Sequence, residues 1–148
     1  MSASARILVV DDERSMREFL EILLRKEGYD VTTAGDVEAA LVALDSDDFD
    51  LVVSDIQMPG KSGLDLLRSI REAQGDALVV MITAFATTET AIAAMKEGAY
   101  DYLTKPFKVD EIKLVVQKAL EKKLLTSENA RLRFELRSLL PRGQLVLR

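Results

Sequence analysis

The chain has 148 residues, among them neither histidine nor cysteine. Those absences exclude a Ser-His-Asp or Cys-His nucleophile, a nitrogen-and-sulfur zinc site, a disulfide and a phosphodonor histidine of its own. The net charge of −5 is unevenly spread: residues 1–110 hold 11 Lys/Arg against 21 Asp/Glu, and residues 111–148 hold 9 against 4, which argues against nucleic-acid binding by the acidic body and leaves only a weak case for the basic tail.

Apolar periodicity then alternates along the chain. Ile7-Leu8-Val9-Val10 is a short continuous run, as a strand covered on both faces should be. Met16, Phe19, Leu20, Leu23 and Leu24 follow at helical spacing, with Gly28 as the stop. Tyr29 to Thr33 reads as a strand. Val37, Ala40, Leu41 and Leu44 mark a second helix, and Leu51-Val52-Val53 a third strand that ends at Ser54-Asp55. Leu64, Leu67 and Ile70 form a third helix, and Leu78 to Ile82 a fourth strand. Ala91, Ile92 and Met95 mark a weaker helix stopped by Gly98. Tyr100 to Leu103 is a fifth strand, and Ile112, Val115, Val116, Ala119 and Leu120 open a last helix. Five such units predict an α/β fold, a parallel sheet with helices on both faces. No secretory leader is visible in Met1 to Ala5. The longest apolar stretch, Ala77 to Ala86, is about half the ~20 residues that span a bilayer, so a soluble cytoplasmic protein is expected.

Ligands in such sheets bind beyond the carboxyl ends of the strands. There the first strand ends in Asp11-Asp12, the third in Asp55, the fourth in Thr83 and the fifth in Lys105-Pro106. Taken singly, these are a solvated turn or helix cap, a strand-end acid, a β-branched strand residue and a turn. Gathered at one edge, three carboxylates repel one another unless a cation relieves them. A hard divalent ion does so, and Mg²⁺ usually takes one or two protein carboxylates plus waters and phosphate oxygens. A metal, an ammonium and a hydroxyl around one carboxylate suit phosphoryl transfer onto that carboxylate.

These residues resemble the receiver domain of two-component response regulators over roughly residues 5–123. The matching stretches are Ile7-Leu8-Val9-Val10-Asp11-Asp12-Glu13, Ser54-Asp55-Ile56-Gln57-Met58-Pro59-Gly60, Val80-Met81-Ile82-Thr83-Ala84 and Gly98-Ala99-Tyr100-Asp101-Tyr102-Leu103-Thr104-Lys105-Pro106-Phe107. The resemblance implies a flavodoxin-like sheet in 2-1-3-4-5 order, with Asp55 as the phosphoacceptor for a sensor histidine kinase. It implies Mg²⁺ held by Asp11 or Asp12, Asp55 and the backbone carbonyl of Gln57. Thr83 and Lys105 would meet the phosphoryl oxygens, the Lys105–Pro106 peptide would be cis, and Tyr102 would be the switch aromatic that turns inward. Small Ala84 would leave access for a phosphodonor.

Two other patterns carry less. Gly60-Lys61-Ser62 lacks the glycine that a phosphate-binding loop needs five residues earlier, where Asp55 stands. Asp45, Asp47, Asp48 and Asp50 lack the glycine and glutamate of a calcium loop and read as the solvated end of the second helix. A turnover phosphatase commonly has an acid two residues after its nucleophile, where this chain has Gln57. A flavin binder would not place Asp11-Asp12-Glu13 after its first strand.

A bare receiver of this kind should end near Lys123, but the helical pattern continues to Leu140. Leu125, Asn129, Leu132, Leu136 and Leu139 follow the 4-3-4-3 spacing of a coiled-coil seam, with Asn129 favouring a two-stranded parallel pair. The expected organisation is a receiver over 1–123, a helical linker over 124–140 and a disordered tail over 141–148. Receivers with such a linker resemble those of the NtrC class, which control AAA+ activators of sigma-54 RNA polymerase. The expected assembly is a homodimer through the fourth helix, fifth strand, fifth helix and linker. A stand-alone receiver without a transcription output is the alternative.

Overall fold

The protein is described by a computed structural model covering the backbone of residues 4–73, 75–84 and 87–139. Side chains are described over the same residues except Thr88 and residues 126–139. Five strands alternate with five helices: β1 (Arg6–Val10), α1 (Arg14–Lys26), β2 (Asp30–Ala34), α2 (Val37–Ser46), β3 (Leu51–Asp55), α3 (Gly63–Glu72), β4 (Leu78–Thr83), α4 (Thr88–Lys96), β5 (Asp101–Thr104) and α5 (Val109–Leu139). The strands are parallel and ordered β2-β1-β3-β4-β5, as expected for the 2-1-3-4-5 sheet.

Strand alternation sends β1 side chains to both faces. Leu8 and Val10 join Val37, Ala40, Leu66, Leu67 and Ile70 on the side of α2 and α3. Ile7 and Val9 join Leu20, Leu24, Ile112, Val116 and Ala119 on the side of α1 and α5. This is why the central strands read as unbroken apolar runs. Each fully buried Val, Leu or Ile among them contributes about 1.5–3 kcal/mol, and together they hold the strand ends that carry the polar residues.

Local chemistry sets the helix starts. Asp36 caps α2 by accepting from the Ala39 N–H at 2.8 Å. Ser62 and Asp65 form a reciprocal capping box at α3, and Thr87 and Thr90 another at α4, each satisfying amides that a helix start leaves unbonded. The α4 pattern was weak in the sequence, and its start rests on that box. Gly28 and Gly98, with φ of 93° and 99°, end α1 and α4 in the left-handed conformation that glycine adopts without strain.

Three details differ from the sequence reading. β2 and β5 each lie one residue later than the apolar pattern suggested. β2 starts at Asp30 because its backbone pairs with the start of β1, Asp30 N–H donating to the Ala5 carbonyl at 2.9 Å. The acids after α2 are more than a solvated helix end. Asp50 accepts from the Arg6 amide at 2.9 Å and Asp47 lies 3.5 Å from its guanidinium.

The last helix has 31 residues, a length of about 46 Å. Ile112, Val116 and Ala119 are buried against the sheet, whereas Leu124 and Leu125 are exposed. The side chains of Asn129, Leu132, Leu136 and Leu139, and the whole segment Pro141 to Arg148, lie outside the described residues. Among the described residues no helix is long and apolar enough to cross a membrane.

Candidate functional site

The sheet order reverses between β1 and β3, and there the carboxyl ends of the strands open a crevice. Asp11 follows β1, Asp55 closes β3, Thr83 closes β4, and Lys105 follows β5. Asp11, Asp55 and Thr83 are buried, at 1%, 5% and 1% exposure, while Asp12 is exposed. The fold thus gathers the predicted acids, the hydroxyl and the ammonium at one edge.

Lys105 Nζ donates to Asp55 Oδ2 at 3.1 Å and to Asp11 Oδ2 at 3.3 Å, and lies 3.8 Å from Glu13 Oε1. The other oxygen of each buried carboxylate accepts a backbone N–H: Glu13 to Asp11 Oδ1 at 2.9 Å, and Gln57 to Asp55 Oδ1 at 3.2 Å. The Lys105–Pro106 peptide is cis, and the Lys105 N–H donates to the Thr83 carbonyl at 2.8 Å.

The close approach of α3 fixes Asp55 from below. The Gly63 N–H donates to the Ile56 carbonyl at 2.9 Å. A Cβ on Gly63 would collide with the Asp55 carbonyl and come within 2.6 Å of the Met81 methyl.

Burial raises the Asp55 pKa, because the charged form loses water. Its bond from Lys105 opposes that rise without cancelling it, and the Asp11 charge reinforces it. Burial pulls Lys105 downward, but the Asp55 hydrogen bond and the Asp11 charge outweigh it, so its net shift is upward. Two buried acids share one ammonium, leaving negative charge in the crevice.

That imbalance tests whether a metal fits. One carboxylate oxygen from each of Asp11, Asp12 and Asp55 lies within 4.8 Å of the others. An all-oxygen set, rich in charge and open on the Asp12 side, suits a hard divalent ion such as Mg²⁺.

Three contacts were not legible in the sequence. The Thr83 hydroxyl donates to Gln57 Oε1 at 2.9 Å, a contact separate from the metal-ligand role expected of the Gln57 backbone carbonyl. Arg17 Nη1 donates to the Asp11 carbonyl at 2.8 Å, bracing the loop after β1. Glu13 contributes both its amide and its distant carboxylate. Only the Asp-Asp-Glu run gave a hint of the last, since an acid commonly accepts from an amide two residues on.

The model of the response regulator receiver domain matches residues 7–117. The chain belongs to that family. It is 35% identical over 133 residues to the C4-dicarboxylate transport transcriptional regulatory protein DctD of Rhizobium meliloti, covering 90% of this chain and 29% of that protein. It resembles the crystal structure of NtrX from Brucella abortus, with a TM-score of 0.82 and 40% identity over 88% of this chain and 30% of that one. A receiver domain protein from Clostridium thermocellum, 34% identical with a TM-score of 0.77, is covered to 98%. The chain therefore spans less than a third of DctD and NtrX and nearly all of a lone receiver. It is a receiver with an acidic pocket and an adjacent lysine, a domain type of phosphorylation-switch signalling in two-component systems. Such domains are usually classed as non-enzymatic.

Proposed function

We propose that Asp55 accepts a phosphoryl group from a phosphohistidine of a sensor kinase, and that the resulting charge resets the α4-β5-α5 surface. The observation that carries this reading is the buried Asp55 carboxylate held between Lys105 and the acids Asp11 and Asp12. As the P–O bond to Asp55 forms, the P–N bond of the donor breaks and its electron pair leaves with the histidine nitrogen. Asp11, Asp12, Asp55 and the Gln57 carbonyl would hold Mg²⁺, which supplies a positive field for the phosphoryl oxygens.

Lys105 is a compact charge on a flexible stem and stays in reach of those oxygens. The acyl phosphate replaces one carboxylate with a group of about −1.5 to −2 charge and three acceptor oxygens. Thr83 turns its hydroxyl toward them, and Tyr102, now 36% exposed on β5, turns into the space Thr83 leaves. The active form is selected by that differential bonding.

The finer reading is an NtrC-class receiver. The similarity to DctD runs over 133 residues, more than the receiver match of residues 7–117 supplies, and so favours a shared linker. The output is then an AAA+ activator of sigma-54 transcription, outside this chain, in the cytoplasm. Apolar Ile92 and Met95 of α4, Tyr102 of β5, and Leu114 and Leu125 of α5 are exposed and supply a face for a second copy, which the 4-3-4-3 sequence spacing from Leu125 to Leu139 would extend.

Incubation with acetyl phosphate and Mg²⁺ tests the chemistry. Phosphate incorporation should be lost in Asp55→Ala and on chelation, and undiminished labelling of the variant sinks the assignment. Sedimentation with and without beryllofluoride and Mg²⁺ tests the output: a changed dimer population supports it, and an unchanged monomer argues for a stand-alone receiver.

A further inference from the structure

The Gln57 side chain has no part in the phosphoryl transfer described above, yet it contacts the switch hydroxyl. Thr83 Oγ1, almost fully buried, donates to Gln57 Oε1 at 2.9 Å. The base of Gln57 is fixed, because its backbone N–H donates to Asp55 Oδ1 at 3.2 Å. Its side chain therefore bridges from the end of β3 to the end of β4.

A threonine hydroxyl has a single proton to donate. Phosphoryl oxygens at neutral pH are acceptors, so Thr83 must donate to bond them. The proton now given to Gln57 is the same one. We propose that Gln57 is a positioning residue that latches Thr83 in the unphosphorylated state, and that it thereby sets how strongly a phosphoryl group must pull to switch the domain. The latch rests on the reading of Asp55 as phosphoacceptor. Gln57 is exposed, so on release its carbonyl bonds water instead, and the opposing bias is modest.

The test is a double-mutant cycle read by fluorine NMR of bound beryllofluoride at saturating Mg²⁺, on the full chain. Removing the latch should tighten half-saturation in Gln57→Ala by about 2- to 12-fold, the equivalent of one net hydrogen bond. Gln57→Met, which keeps the length without the acceptor, should do the same. In a Thr83→Val background, which keeps the shape without the hydroxyl, Gln57→Ala should change nothing. The latch is overturned if Gln57→Ala weakens binding or leaves it unchanged, or if the shift is equal in both backgrounds. Wild-type protein that binds no beryllofluoride would remove the phosphoacceptor reading and the latch together, whereas binding without coupling removes the latch alone.

Discussion

Lys105 Nζ lies 3.1 Å from Asp55 Oδ2 although the two residues are 50 positions apart in the chain. The ammonium also reaches Asp11, so a single cation spans the ends of β1 and β3 from beyond β5. It ties the proposed acceptor to Asp11, a proposed metal ligand, without a metal.

Replacing it should therefore separate two properties. Lys105→Met keeps the stem and removes the charge. Two buried acids then lose a charged hydrogen-bond partner, at a cost of about 1.5–3 kcal/mol in metal-free protein. Mg²⁺ should restore most of that loss, and phosphorylation by acetyl phosphate should slow by about 10²–10³-fold, as when one positioned donor is removed from a transition state. Chemical denaturation and a labelling time course check both. A wild-type labelling rate in the variant contradicts the role.

Gly63 is the second fixed point. Gly63→Ala should cost about 1–3 kcal/mol, because the new methyl meets the Asp55 backbone and the Met81 side chain rather than space. Its distinctive effect is on the site: Mg²⁺ affinity should fall along with stability, since Asp55 must shift. Loss of stability with unchanged Mg²⁺ affinity, measured by titration calorimetry, would show that α3 does not position Asp55.

The acid-base behaviour has a definite sign. The folded pKa of Asp55 lies above its ordinary value, chiefly through burial. Between those two values the folded chain binds more proton than the unfolded one, so stability falls as pH rises through that window and stays lower at neutral pH. Metal-free Asp55→Asn should accordingly be more stable than wild type at pH 7, with the gap closing below the ordinary aspartate value of about 3.9. Lys105 works at the other end. Its folded pKa is raised by Asp55 and Asp11 against the pull of burial, so its stabilisation is complete below the ordinary lysine value and is lost as pH climbs through the raised one. Urea unfolding across pH checks both, and an Asn variant less stable than wild type at neutral pH contradicts the first.

Much of this was legible in the sequence, for identifiable reasons. β1, β3 and β4 are buried on both faces, so their apolar runs announce them, and the polar residues that end the runs stand out as Asp11, Asp55 and Thr83. Edge strands are harder. β2 and β5 carry polar residues such as Asp30 and Asp101 whose place depends on backbone pairing with a neighbour, so each was read one residue early. Side chains that reach across the fold were invisible: the Thr83–Gln57 bond joins residues 26 apart, and Arg17 acts on a carbonyl that has no residue signature. Asp50 was misread for the same reason, its partner being the Arg6 amide, 44 positions away.

The central claim is that the phosphoryl group resides on Asp55. Treatment with acetyl phosphate and Mg²⁺, reductive trapping with borohydride and peptide mass spectrometry locate an acyl phosphate directly, because reduction converts the modified aspartate to homoserine. The account predicts homoserine at position 55, dependent on Mg²⁺. Homoserine at Asp11 or Asp12 instead, or none anywhere, would contradict it.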